Sequence, residues 1–354
     1  MIIDIHGHYT TEPAALHTFR DKQLAGLAEG SRKPASEDLG ITDAELVKSV
    51  QPQLDFQKAR GSDVTIFSPR ASGMGHHVGN EAIGHVWCRV SNDLIHRICN
   101  LLPDNFAPVG QLPQFTGAPI ENCIPELERL VKLGFVGVNL NPDPSGGYWK
   151  APPLTDRYWY PIYEKLVEHE MPAMIHVTGS CNPAVHFTGA HYINGDTTAF
   201  MQLLQGNLFK DFPELKFVIP HGGGAVPFHW GRYRGIAQDM KKPLLGEHLL
   251  KNVFFDTCVY HLPGIELMAK VVPIDNILFA SEMLGAVKGI DPETGHHYDD
   301  TKRYIDQVKA LAENDRYKIF EGNARRVYPR LDRLLAKRGH PGVVAKHRDK
   351  SKIH

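Results

Sequence analysis

Eight short apolar runs, each followed by a stretch of helical periodicity, set the strongest limit on what this chain of 354 residues can fold into. The runs fall at 2–5, 64–68, 107–112, 136–140, 173–177, 216–220, 252–256 and 276–280, and they are rich in Val, Ile and Phe. Runs this short and this apolar suit strands buried on both faces. Helical patterns fill the gaps at 42–59, 81–102, 123–133, 156–170, 196–205, 225–240, 264–271, 300–312 and 315–327. The first of these opens with Thr42-Asp43-Ala44-Glu45, a capping-box sequence, and Gly61 should stop it. A strand-then-helix unit repeated eight times predicts an α/β fold, a (β/α)8 TIM-like barrel with parallel strands and right-handed crossovers. An open doubly wound sheet would usually place a Gly-rich turn after its first strand. Here the first strand ends in His6-Gly7-His8. Long segments at 10–41, 141–155 and 178–195 follow strands 1, 4 and 5. They read as extended loops at the carboxyl-terminal face, where barrels build their sites. Residues 1–331 read as a single barrel domain. Residues 332–354 read as a basic, mobile tail, with six Lys or Arg and one Asp from Lys337 onward.

Charge excludes some functions. Lys plus Arg is 39 against 40 Asp plus Glu, a formal charge of −1. A nucleic-acid binder needs a positive surplus to hold phosphates, so none is expected as a partner. No apolar run approaches the roughly 18 residues of a membrane span. The start, Met1-Ile2-Ile3-Asp4-Ile5-His6, carries no basic leader, and the five cysteines contain no C-x-x-C pair. A reducing cytoplasm is the expected setting. The outlying figure is 20 histidines, and their placement is informative.

His6 and His8 are two apart on a strand, so both rings project from one face and can reach one ion, with Gly7 leaving room for close backbone approach. An H-x-H pair alone is a weak motif. However, His176 ends the fifth strand, His221 ends the sixth and Glu282 follows the eighth. A barrel gathers exactly such strand ends around one mouth, although a single histidine there is more often a satisfied core residue. Imidazoles with a carboxylate suit Zn²⁺, with Mn²⁺ or Fe²⁺ as alternatives. The set has one member more than a tetrahedral shell needs. We assign His6, His8, His176 and Glu282 to the metal and His221 to acid/base work. Cations at the same mouth, Arg70 after strand 2, Arg232 and Arg234 in the helix after strand 6, and Lys288 after strand 8, imply a small polyanionic substrate. A solvated helix face explains at least one of Arg232 and Arg234. Gly222-Gly223-Gly224 could receive an anion or simply turn the chain. Asn139, Asn141, His191 and Tyr192 are further hydrogen-bonding candidates, and Asp256 could orient His221 or a ligand.

The segments IIDIHGHYT (2–10), FSPRAS (67–72), VIPHGGGAVPFHWGR (218–232), FFDTCVYH (254–261) and LFASEM (278–283) resemble the amidohydrolase superfamily and, within it, the 4-oxalomesaconate hydratase family, from Met1 to about Leu331. That resemblance implies a zinc-dependent hydro-lyase adding water to the double bond of 4-oxalomesaconate, giving 4-carboxy-4-hydroxy-2-oxoadipate in 4,5-cleavage catabolism of protocatechuate or gallate. It implies that His6, His8, His176 and Glu282 hold the metal, and that Arg70, Tyr192, His221 and Lys288 handle substrate. Most superfamily hydrolases carry Asp where this chain has Glu282, which argues against carrying over a hydrolytic mechanism. Lys288 keeps a charge that Arg can supply in the family, but loses the planar fork. Asn139 and Arg232 complete the expected substrate contacts, Glu282 and His221 the catalytic pair. A homo-oligomer acting on a small polycarboxylate is expected. The rival readings are a metal-dependent decarboxylase of an aromatic or dienyl acid, a lactone hydrolase, and a silent metal-binding scaffold.

Overall fold

The computed structural model of the chain describes residues 1–29 and 39–342. Its eight strands are β1 Ile3–Tyr9, β2 Val64–Pro69, β3 Phe106–Gln111, β4 Gly137–Leu140, β5 Ala173–Ile175, β6 Phe217–Ile219, β7 Val253–Asp256 and β8 Ile277–Leu278. They form one sheet in sequence order, every neighbouring pair parallel. Ile5 N–H donates to Phe279 O (3.0 Å) and Glu282 N–H to His6 O (3.0 Å), which brings the end of β8 against β1. The sheet therefore curls into the distorted TIM-like barrel that the strand count predicts.

Alternation along the strands divides the core in two. Ile3, Ile5, Val64, Ile66, Val109, Val218 and Phe254 belong to the inner cluster, whereas Phe67, Phe106, Val138, Ile175, Phe217 and Phe255 pack with the surrounding helices. Ala324, Val327, Tyr328, Leu331 and Leu335 join the inner cluster. They belong to helices Asn323–Val327 and Pro329–Lys337, apart from Tyr328 between them. Tyr328 lies against Gly137 at the start of β4, so these helices plug the amino-terminal end of the barrel. The helix continues past the expected boundary at 331, with Leu335 buried; residues 343–354 of the expected tail lie outside the described residues.

Local differences from the sequence reading have physical causes. The first strand runs on through His6-Gly7-His8 to Tyr9, with a register shift against β2 between Asp4 and Gly7. Such a bulge re-aims side chains beside a site. A Cβ on Gly7 would stand 2.3 Å from Thr65 Cγ2, so only glycine lets β1 and β2 approach this closely. The helix expected over 42–59 keeps its capping box and its left-handed Gly61 stop, but splits into Asp43–Ser49 and Gln51–Arg60, because Pro52 belongs in a first turn. The segments 10–41 and 178–195 are not wholly loop. The first contains helix Ala14–Ala28, and the second ends in helix Gly189–Gln205, which starts seven residues before the predicted position 196. After β6 the helix begins at Trp230 instead of 225, behind the Gly222–Gly224 turn and Pro227. Among the described residues no helix is long and apolar enough to cross a membrane.

Candidate metal centre

The strand ends at the carboxyl-terminal face bring all five expected side chains together. His6 and His8 come from β1, His176 directly follows β5, His221 opens the turn after β6, and Glu282 follows β8. All five are buried. One ligand atom from each of His6, His176, His221 and Glu282 lies within 4.8 Å of the others. His8 Nε2 is 2.9 Å from His6 Nε2 and 3.3 Å from His176 Nε2.

Each ring is tied through its other nitrogen. His6 Nδ1 donates to Asp256 Oδ2 (2.7 Å), His8 Nδ1 meets Ser68 Oγ (2.8 Å), His176 Nδ1 donates to Val177 O (2.7 Å) and His221 Nδ1 meets Asp196 Oδ2 (2.8 Å). With the proton held on Nδ1, the Nε2 lone pairs of His6, His8 and His176 point inward at one another. Burial, and then the neighbouring imidazoles, hold His8 and His176 well below the ordinary histidine pKa, so both rings are neutral. Neutral lone pairs at such separations repel unless a cation lies between them. Two nitrogens each about 2.0–2.1 Å from one tetrahedral ion would sit about 3.3 Å apart, close to what is seen. The donor set fits a divalent metal ion.

His221 differs from the other rings. Burial works against its charge, but Asp196, then Glu282 and Asp256, overcome that and raise its pKa to about 9. Its Nε2 is buried without a hydrogen-bond partner, 3.8 Å from Glu282 Oε2. Burial would raise the Asp256 carboxyl, yet His6 and the Cys258 N–H pull it below its usual value. Asp256 thus orients His6, one of the two roles the sequence left open.

Behind this layer the backbone is pinned. Asp4 accepts from the N–H groups of His6 and Ser281 and from Ser281 Oγ, which locks β1 to the segment carrying Glu282. Among the described residues, seven other than glycine have positive φ, and His221, Tyr260, Glu282 and Leu284 are four of them. Such conformations cost of order 1–3 kcal/mol each and concentrate where function requires them.

The substrate-contact residues separate into groups. Tyr192 is buried, stacked on His221 with ring centroids 5.4 Å apart, and 5.0 Å from the His176 ring. Arg70 follows β2 with its side chain 41% exposed, Nε donating to Ser72 Oγ (3.0 Å) and Nη1 3.7 Å from Glu12 Oε1. Lys288 is exposed beside Val287, which lines the cavity over the cluster. Asn139 is buried and donates to Ser68 Oγ (3.2 Å), so its amide supports the partner of His8. Asn141 is occupied by His76 (2.9 Å) and the Asp143 N–H (2.9 Å). Arg232 is exposed. The helix Trp230–Asp239 buries Tyr233 and Ala237, which leaves Arg232 on its solvent face. The glycine run is a tight turn and not a helix start: a Cβ on Gly223 (φ 78°) would come within 2.4 Å of Phe255.

Two residues escaped the sequence reading. Asp196 lies one helical turn after Tyr192 on Gly189–Gln205, the (i, i+4) spacing that would have exposed it had the helix been started early enough. Tyr260 follows β7, and its hydroxyl donates to Glu282 Oε2 (2.5 Å). A cavity of about 480 Å³ opens above them, lined by Tyr192, His221, Tyr260 and Glu282 and by apolar groups including Ile193, Phe228 and Leu267.

The amidohydrolase family pattern matches residues 3–330. A 2-keto-4-carboxy-3-hexenedioate hydratase from Sphingobium sp. is 58% identical over 341 residues, covering 96% of this chain and 99% of that protein. The crystal structure of 4-oxalomesaconate hydratase from Rhodopseudomonas palustris aligns with a TM-score of 0.89 at 59% identity, covering 96% of this chain and 99% of that one. A manganese complex of 5-carboxyvanillate decarboxylase from Novosphingobium aromaticivorans reaches a TM-score of 0.66 at 20% identity over 93% of this chain and 96% of that one, a likeness of fold alone. Matched along nearly its whole length, the chain belongs to the amidohydrolase family.

Proposed function

We propose that this protein is a hydro-lyase that adds water to the double bond of 4-oxalomesaconate, giving 4-carboxy-4-hydroxy-2-oxoadipate, in 4,5-cleavage catabolism of protocatechuate or gallate. The observation that carries the reading is the pair formed by His221 and Glu282. They are a buried imidazole with a free Nε2 and a carboxylate 3.8 Å away, set against the rings of His6, His8 and His176. High identity to two hydratases supports the choice of substrate.

His6, His8, His176 and Glu282 would hold the metal, and the nitrogen-rich donor set favours Zn²⁺, with Mn²⁺ and Fe²⁺ as alternatives. When bound, such an ion supplies Lewis acidity and a water whose pKa is lowered, to about 7 for zinc. Glu282 accepts a proton from water as its oxygen bonds to the carbon bearing the carboxylate. The electron pair of the double bond moves toward the conjugated keto oxygen. His221, kept protonated by Asp196, then delivers its proton to the adjacent carbon, and the ketone re-forms. One proton passing from Glu282 to His221 resets the site, so atoms and charge balance. Arg70, Lys288 and Tyr192 would hold the carboxylates and the developing charge. Asn139 acts in this reading through Ser68 and His8. Arg232, facing solvent, has no part in it. A homo-oligomer in the cytoplasm completes the reading.

The test is an ultraviolet assay on 4-oxalomesaconate with parallel detection of CO₂. Loss of conjugated absorbance without CO₂ release is the expected result. Release of CO₂ in step with turnover would replace the hydratase with a decarboxylase.

A further inference from the structure

Tyr260 has no role in the reaction as derived so far, yet it is built into the site at a cost. It holds φ at +65° although it carries a full side chain, in the turn after β7 where Val259 N–H donates to Thr257 O (2.8 Å). That conformation turns its ring into the cavity wall, and its hydroxyl reaches Glu282 Oε2 at 2.5 Å. Glu282 is itself held at positive φ, with Gly285 N–H donating to its carbonyl at 2.8 Å. A Cβ on Gly285 would lie 2.6 Å from Glu282 Cγ, so the carboxylate is packed closely on that side too. Two strained turns from different strand ends thus meet at one short hydrogen bond. Among the described residues, the Tyr260 hydroxyl makes no other hydrogen bond.

We propose that Tyr260 is a positioning residue that fixes Glu282, so that the carboxylate meets the imidazole cluster in one orientation. A carboxylate has two equivalent oxygens and a freely turning terminal torsion. Tying Oε2 to a phenol from the neighbouring strand end removes that freedom before any ion arrives. Partners of this kind around a metal site typically carry 10–100-fold in affinity or activity. The proposal rests on Glu282 being a metal ligand, as assigned above.

The test measures Zn²⁺ affinity of the full-length protein by competition with a chromophoric chelator, in the wild type, Y260F, E282Q and the Y260F/E282Q double variant. Thermal melts verify that each is folded. Y260F keeps the ring and removes only the hydroxyl. The expected result is a Kd raised at least about 10-fold by Y260F in the native background, and by less than 2-fold in the E282Q background. In turnover, Y260F should lower kcat by about 10-fold or more while KM moves by less than 3-fold, as befits a residue that does not bind substrate. An unchanged Kd, or equal losses in both backgrounds, would overturn the proposal and leave the metal assignment standing. A wild-type protein that takes up no metal would overturn both.

Discussion

The two ends of the barrel are made from the same eight strands and solve opposite problems. At the amino-terminal end, Tyr328, Leu331 and Leu335 join the inner hydrophobic cluster and plug the strands, and burial of their apolar surface returns free energy. At the carboxyl-terminal end, four imidazoles and the carboxylates of Asp4, Asp196, Asp256 and Glu282 are buried, with three site residues in strained backbone. Burying such groups costs free energy unless each finds a partner. The lesson is a division of labour along each strand. Its start contributes stability, and its end spends part of that stability on geometry.

That contrast can be broken or sharpened by substitution. At the plug, L331A should lower unfolding free energy by about 2–5 kcal/mol, read from denaturant melts, with kcat of the folded protein within about 2-fold of wild type. A comparable loss of kcat would mean the two ends are coupled. At the mouth, E282Q should cut kcat by at least about 10²-fold; near-normal turnover with metal retained would remove Glu282 from the chemistry. D196N should cost about 10–100-fold in kcat by loosening His221, while bound metal changes little. Metal loss in D196N would instead make His221 a ligand. R232A should leave kcat/KM within about 2-fold, because a solvent-facing cation contributes little. A large loss would return Arg232 to the substrate.

How legible each part was in the sequence follows from the range of the interactions that form it. His6 and His8 were readable because two-residue spacing on a strand fixes their direction, and His176, His221 and Glu282 because strand ends mark the mouth. The Thr42–Glu45 capping box was readable because all its bonds are local. Asp196 was not readable. The helix that carries it starts with Gly189 and includes Asn194 and Gly195, all poor helix formers held there by tertiary packing. Tyr260 was hidden because a positive φ at a tyrosine leaves no mark in the sequence. For Arg232 the sequence gives the helix but not its buried face, which Tyr233 and Ala237 form.

Metal content, measured together with turnover, tests the central claim most directly. Purified active protein should contain about one divalent ion per chain, lose turnover on exhaustive chelation, and regain it when Zn²⁺ or Mn²⁺ is restored. Full activity in a sample stripped of divalent metal would contradict the account.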